Sequence, residues 1–194
     1  TYLEVDRLTG LSLRASAVLG DDYEGLGYGI AAMLQSPHFL FRVALGEPDP
    51  DAPGHHRFTG YEMASRLSFF LWDTIPDAEL LAAAGEGLLT TDEGLAVEVD
   101  RMLLDDRIEQ GIRAAFTDMY ALYALDGLNK DPTIFTHMSP EVGPAAREET
   151  LLSILHQVRE QDGDFRDLFT TRTTFLDRRL SSIYGVVAPA WDGF

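Results

Sequence analysis

The chain contains no cysteine among its 194 residues. This absence excludes disulfide bonds, thiolate zinc sites, iron–sulfur ligation, haem attachment through a CxxCH motif and cysteine nucleophiles within these residues. It does not fix the cellular compartment. A chain of this length buries roughly 70 % of its unfolded surface on folding, so we expect a hydrophobic core to hold the fold without disulfides or a metal.

Positive charge is also scarce. The chain has 15 lysine and arginine residues against 32 aspartate and glutamate residues, a formal charge of −17, and Lys130 is its one lysine. Because phosphate groups are bound by clustered cations, we expect no nucleic acid and no anionic membrane surface as a direct partner. We attribute the acidity to a solvated surface, with attraction of a basic partner or of divalent cations as the alternative.

Long apolar runs and strand signals are missing as well. No run is long enough for a membrane span, and the first ten residues lack both an initiator methionine and the pattern of a signal peptide. We therefore expect a segment of a longer polypeptide. Neither HExxH, GxSxG, GxGxxG nor a phosphate-binding loop motif occurs. The predicted fold class is all-α, an irregular multi-helix bundle around one buried central helix with no significant sheet.

The predicted central helix lies within residues 58–81. Thr59 and Glu62 have the spacing of a capping box, which predicts the helix start, and Pro76 predicts a stop near Asp73. Pro76 also suits the first turn of a short helix over residues 77–84. Between residues 60 and 72 only Glu62 and Arg66 are charged, so we expect this helix to be buried on several sides.

Similar cap and stop signals predict the remaining helices, with residues 46–56 as an exposed irregular connector. Residues 107–125 carry apolar side chains at helical spacing, which predicts a helix. Thr90 and Glu93 have the spacing of a second capping box, which predicts the start of the helix over residues 90–104. We predict four units: residues 1–45 as the helical end of a preceding domain, 46–57 as a linker, 58–186 as the main domain and 187–194 as a tail leading to a following domain. The other predicted helices cover residues 2–18, 22–34, 90–104, 139–161 and 176–184.

Three residues on or beside the central helix are candidate catalytic groups. Glu62 and Arg66 lie four residues apart, in the order that favours an ion pair on one helix face. With Asp73 they form the set expected of an active site at a domain interface. A structural ion pair is the interpretation we favour, because such pairs are far commoner than catalytic ones.

One set of residues has metal-ligand spacing. His156 and Glu160 are four residues apart and Glu149 lies seven residues before His156, so all three share roughly one helix face. Such a face holds a hard cation, or half of a di-iron site if a second helix contributes. Because the sequence has no Glu-x-x-His and this helix is rich in charge, we favour a solvated polar face and expect no metal.

The segments ASRLSFFLW (64–72), PD (76–77), RML (101–103) and DDR (105–107), with REETLLSIL (147–155), occur in an order that resembles a planctomycete-type family of uncharacterised helical domains. This resemblance implies a large exported protein and an extracytoplasmic (periplasmic or secreted) location. It implies no cofactor in this segment, but a c-type haem elsewhere in the parent protein. Other domains or subunits of the same assembly are the implied partners, and the family has no activity to carry over.

Three functions remain open. The first is a non-catalytic helical scaffold or assembly module, associated with a c-type cytochrome redox assembly. The second is part of an extracytoplasmic enzyme, an oxidoreductase component or a degradative enzyme. The third is a carbohydrate or small-molecule binding module that uses exposed aromatic side chains such as Trp72 or Trp191. A cleft where Glu62, Arg66 and Asp73 converge with a desolvated carboxylate favours the enzyme. A large apolar face on residues 1–43 or 176–194 favours assembly, and an exposed aromatic strip favours the binding module.

Overall fold

A computed structural model describes residues 2–161, 163–188, 190 and 193–194. The described residues are mainly α-helical, which confirms the predicted all-α class, and none of their helices is long and apolar enough to cross a membrane. The α-helices are α1 (Tyr2–Leu19), α2 (Asp22–Leu34), α3 (Pro37–Leu40), α4 (Gly60–Leu71), α5 (Ala78–Gly85), α6 (Asp92–Leu104), α7 (Ile108–Met119), α8 (Val142–Leu155) and α9 (Arg178–Tyr184). The short helical turns are 3-10 at Leu88–Thr90, Leu122–Gly127 and Phe165–Phe169, and π at His156–Glu160.

The main hydrophobic core lies where α4, α5, α6 and α7 meet. Trp72, directly after α4, is fully buried at the centre of this cluster, and its indole Nε1 donates a hydrogen bond to the Met102 carbonyl (3.0 Å). Helix α8 packs on α7 and α9 through a second apolar side. The buried members of the main cluster are Ala64, Trp72, Leu80, Ala83, Ala84, Leu89, Met102 and Ile108.

Helix α4 contributes to this core and packs on α5, α6 and α7, but its outer face is exposed, so its burial is less complete than the sequence predicts. Ala64 and Ser68 on its inner face are fully buried, whereas Phe70 is 80 % exposed and Tyr61 is 60 % exposed. The small residues allow α5 and α7 to approach the inner face closely. The apolar side chains of the outer face therefore remain exposed to solvent.

Helices α1 and α2 form an antiparallel hairpin that packs on itself. Their contact is built from small residues: a Cβ on Gly25 would lie 2.7 Å from the Ser12 carbonyl oxygen, and one on Gly29 would lie 2.0 Å from the Ser12 hydroxyl. Gly25 and Gly29 are the buried residues of α2, and α1 has none. Across the described residues, neither helix packs substantially on α4–α9.

Several predicted boundaries shift. Helix α7 ends at Met119 rather than at residue 125, because Ala121 adopts a left-handed backbone (φ 50°) and a 3-10 turn follows. Thr91, not Thr90, caps α6 by accepting from the Gly94 amide (3.1 Å). Pro76 does not start α5, which Asp77 caps by accepting from the Leu80 amide (2.9 Å).

The remaining differences concern the connector and the helix predicted over residues 139–161. Two short antiparallel strands, β1 (Glu47–Pro48) and β2 (His56–Arg57), pair at the connector, for which the sequence predicts an irregular structure. Arg57 Nε donates to Glu47 (3.0 Å) across this hairpin. Helix α8 begins at Val142 and its last turn becomes π-helical from His156.

Candidate functional site

Residues 41–46, here called the strap, run along α4 from Phe69 to Glu62, and Glu62 holds the end of the strap near the start of the helix. One carboxylate oxygen of Glu62 accepts from the amides of Leu45 (2.8 Å) and Gly46 (3.0 Å). The other accepts from the amide (2.8 Å) and the hydroxyl (3.0 Å) of Thr59. The capping box predicted from sequence is confirmed, and the same carboxylate also joins the strap to α4.

These donors fix the charge state of Glu62. The hydrogen bond from the Gly46 amide, followed by that from Thr59, lowers the pKa of this carboxyl from 4.5 to about 2. Glu62 is therefore ionised at neutral pH, with both oxygens already accepting hydrogen bonds. A general acid or base needs a pKa near the working pH, which this arrangement does not provide.

The expected ion pair between Glu62 and Arg66 does not form in the described structure. Glu62 turns towards the backbone donors of the strap and the cap, and the Arg66 guanidinium lies 4.3 Å from the centre of the Phe58 ring. Asp73 follows α4 with a left-handed backbone (φ 52°), and its carbonyl accepts from Gln110 Nε2 (3.4 Å). No hydrogen bond joins any two of Glu62, Arg66 and Asp73 among the described residues.

The three candidates instead line a groove between α4 and the segment that contains the strap. Two neighbouring cavities of about 570 and 660 Å³ form it, and Glu62 lines both. Arg66 lines the first cavity and Asp73 the second. The Arg42 guanidinium lies 3.9 Å from the centre of the Phe69 ring, on the boundary between the two. The sequence signal for this groove is the aromatic content of residues 39–41, which sequence analysis does not single out.

The candidate metal ligands are partly brought together. His156 Nδ1 lies 2.7 Å from Glu160 Oε2, as their spacing predicts. Glu149 instead accepts hydrogen bonds from the Tyr184 hydroxyl (2.9 Å) and the Thr174 hydroxyl, and the Glu149 carboxylate raises the pKa of Tyr184. In the part of the chain that the structure describes, no three acidic, histidine or cysteine side chains form a metal-binding group.

A second polar cluster, which sequence analysis did not single out, surrounds Trp72. The Arg107 guanidinium lies 3.5 Å from the centre of a Trp72 ring. Asp77 accepts from Arg101 (3.1 Å) and from Arg107 (2.8 Å). Burial would raise the pKa of Asp77, but hydrogen bonds from Arg101, the Leu80 amide and Arg107 outweigh it and lower the pKa to about 2.

This cluster is structural in character. It ties the start of α5 to α6 and α7 through paired charges and borders neither cavity of the groove. Its members come from the PD, RML and DDR segments, so three of the segments that carry the family resemblance assemble around Trp72, which belongs to a fourth. Their separation in sequence gave no sign of this contact.

One of the two aromatic residues proposed for a carbohydrate or small-molecule binding module is not available at the surface. Trp72 is fully buried, so it does not offer an exposed ring to a carbohydrate or another small molecule. Trp191 lies outside the described residues.

Comparison with known proteins gives one match. No curated protein and no solved structure matches the chain. A family model matches residues 58–186, from the residue before the α4 cap to the residue after the α9 cap. Because this match covers well over half of the chain, the chain belongs to the family PSD4, described as a protein of unknown function (DUF1592).

Proposed function

We propose that this chain is a non-catalytic helical assembly module and that the α1–α2 hairpin docks it onto another domain or subunit. The observation that carries the proposal is the orientation of the hairpin's apolar side chains. Tyr23 is 87 % exposed and Val18 is 84 % exposed, while the contact between the helices is made by glycine and serine. A two-helix hairpin in water ordinarily buries its apolar stripes against each other or against a third element.

The total surface supports the same conclusion. The chain exposes 13590 Å², whereas a compact protein of its mass, 21.5 kDa, exposes roughly 9,200 Å². The excess of about 4,400 Å² is larger than the roughly 1,600 Å² that a standard protein–protein interface buries in total. This excess includes the exposed apolar side chains of α1 and α2, and a large exposed apolar patch is typical of a protein that functions in contact with another.

The nature of the partner follows from charge and from family. A formal charge of −17 disfavours self-association and favours a partner with a basic surface. The resemblance adds an exported parent protein that contains a c-type haem, and we include that setting in the proposal. A Soret band in the absorption spectrum of the purified parent protein would support it, and a colourless parent would remove it.

Two substitutions on the hairpin test the docking role. Leu13→Gln combined with Tyr28→Gln removes apolar surface without adding charge, and Val97→Gln on α6 is the matched exposed control. Since all three side chains are exposed, the free energy of unfolding of each isolated variant should lie within about 0.5 kcal/mol of that of the unmodified chain. Native mass spectrometry of the parent assembly should show dissociation for the hairpin double variant alone. An intact assembly with both variants contradicts the proposal.

A further inference from the structure

We infer that the groove between α4 and the strap binds an extended peptide segment that carries an acidic side chain next to apolar ones. The groove combines the backbone of residues 42–44, aromatic walls and two arginines, and within the described residues neither this backbone nor these arginines have a hydrogen-bond or carboxylate partner. This inference rests on the proposed assembly role and adds a second contact to it, separate from the hairpin.

The walls of the groove fit an apolar ligand. Its two cavities have volumes within the range of roughly 300–1,000 Å³ that is usual for ligand pockets. They share five lining residues, so they form one continuous trough beside the strap. The shared residues are Arg42, Val43, Glu62, Ser65 and Phe69. Phe39, Phe41, Phe70 and Ile75 add further exposed apolar side chains to the walls.

The strap supplies free backbone groups. The backbone N–H and C=O groups of residues 42–44 make no hydrogen bond within the described structure. The strap is nonetheless fixed at both ends, by the Phe41 amide donating to the Pro37 carbonyl (2.9 Å) and by Glu62 accepting from Leu45 and Gly46. A fixed, unpaired, non-helical segment is a template for the addition of a peptide strand, in which main-chain hydrogen bonds supply affinity.

The charges set the preference for an acidic side chain. The Arg42 and Arg66 guanidiniums rest on the Phe69 and Phe58 rings, with no acidic side chain at ion-pair distance among the described residues. Elsewhere in the fold many arginines are paired with carboxylates, as Arg101 and Arg113 are. A carboxylate entering the first cavity would meet these two cations and add charge-assisted hydrogen bonds.

The acidic side chains at the groove do not cancel this preference. Glu62 lines both cavities, but its oxygens are taken up by the donors of the strap and of the α4 cap. Asp73 lines only the second cavity and not the first. We therefore assign the acidic side chain of the peptide to the first cavity, beside Arg42 and Arg66, and its apolar side chains to the exposed aromatic residues on either side, Phe70 and those of segment 39–41.

The test uses the isolated chain and a fluorescein-labelled peptide of valine and threonine with one glutamate beside a central phenylalanine, because further glutamates would be repelled by the formal charge of −17. Fluorescence anisotropy should show saturable binding. Arg42→Gln combined with Arg66→Gln should weaken it by about 10-fold or more, since two charge-assisted contacts are lost. Arg172→Gln, an exposed arginine away from the groove, should leave the affinity unchanged. Circular dichroism verifies that each variant remains helical.

Two altered peptides examine the mode of binding. Lysine in place of glutamate should abolish binding, and N-methylation of alternate peptide nitrogens should weaken it by about 10-fold because it removes strand-type hydrogen bonds. Absence of saturable binding overturns the inference. Equal affinity for the N-methylated peptide, with full displacement by 4-phenylbutyrate, also overturns it and assigns the groove to small organic anions.

The result is independent of the docking role of the hairpin. Leu13→Gln combined with Tyr28→Gln should leave peptide affinity unchanged, because neither residue lines the groove. Failure of peptide binding therefore removes the groove assignment alone. Failure of the hairpin substitutions to dissociate the parent assembly removes the assembly proposal, on which the biological meaning of the groove depends.

Discussion

The Trp72 side chain joins the end of α4 to α6 and to the start of α7. Its ring is fully buried, its indole N–H satisfies the Met102 carbonyl, and Arg107 covers a ring face. The stacked guanidinium adds a cation–π contact and keeps its charge in ion pairs with Asp77 and Asp105. A substitution at Trp72 therefore removes both packing in the core and the hydrogen-bond donor to the Met102 carbonyl.

Replacing Trp72 with alanine should destabilise the chain by about 3–5 kcal/mol, since a large buried aromatic side chain is lost and a cavity remains. Phe70→Ala is the matched control on the adjoining helix, and its side chain is 80 % exposed. That control should change the free energy of unfolding by about 0.5 kcal/mol or less. Urea unfolding measures both. Equal losses for the two variants would contradict the assigned core.

Asp77 gives a prediction about pH. Its pKa falls from 3.8 to about 2 on folding, so its ionised form stabilises the fold at pH values above its unfolded pKa. Asp77→Asn keeps a capping oxygen but removes the charge, and should cost about 1–2 kcal/mol near neutral pH after allowance for the partial exposure of the site.

The sign of the pH effect follows from the lowered pKa. As the pH falls from about 4 to about 2, the unfolded chain takes up the proton first, so the stability advantage over Asp77→Asn should disappear. Urea unfolding of both proteins across this range measures it. An advantage that stays constant down to pH 2 would contradict the assigned ion pairs.

Local residue chemistry was predictable and distant contacts were not. The Thr59–Glu62 capping box spans three residues and is confirmed. The Glu62–Arg66 ion pair was wrong because the competing donors, Leu45 and Gly46, lie 17 and 16 residues away in sequence. Because the Glu62 carboxylate accepts hydrogen bonds from these amides, Arg66 packs on the Phe58 ring instead.

At the scale of elements, the α1–α2 hairpin depends on glycine at one interface. A Cβ at Gly25 would meet main-chain atoms of Ser12 and Ser16 at 2.7 Å, whereas one at Gly27, two residues on, would meet nothing within 4 Å. Main-chain atoms cannot rotate away as a side chain can. The two helices must therefore separate to admit a methyl group at Gly25.

Gly25→Ala should weaken the hairpin by about 1–3 kcal/mol through overpacking. Gly27→Ala should stabilise α2 by about 0.5–1 kcal/mol, since alanine favours a helix over glycine. Hydrogen exchange of the α1 amides reads out both changes, with faster exchange expected only for Gly25→Ala. Faster α1 exchange in both variants, or in neither, would be inconsistent with this contact.

Helix starts were easier to predict than helix ends and buried faces. The start of α4 has a local signal, the capping box. The end of α7 depends on the left-handed backbone of Ala121, and alanine rarely adopts that conformation, so the sequence does not predict a turn there. The inner face of α4 is lined by Ala64 and Ser68 rather than by its larger apolar residues. Small residues there admit α5 and α7, which sequence periodicity alone does not show.

At the scale of the whole molecule, the near absence of strand signals was enough to predict the all-α class. It was not enough to predict the groove, which forms only when segment 39–46 meets α4. The same applies to the outward apolar surface of α1 and α2. A helical pattern shows that apolar side chains share a face, but not which partner covers that face.

The central claim is that another polypeptide covers the apolar face of the α1–α2 hairpin. Hydroxyl-radical footprinting with mass spectrometry tests it by comparing the isolated chain with the native assembly. Tyr23 and Tyr28 should be modified readily in the isolated chain, where both are exposed, and protected in the assembly. Tyr123, exposed in the 3-10 turn after α7, is the internal reference that should react in both. Equal modification of Tyr23 and Tyr28 in the two samples would contradict the assembly role.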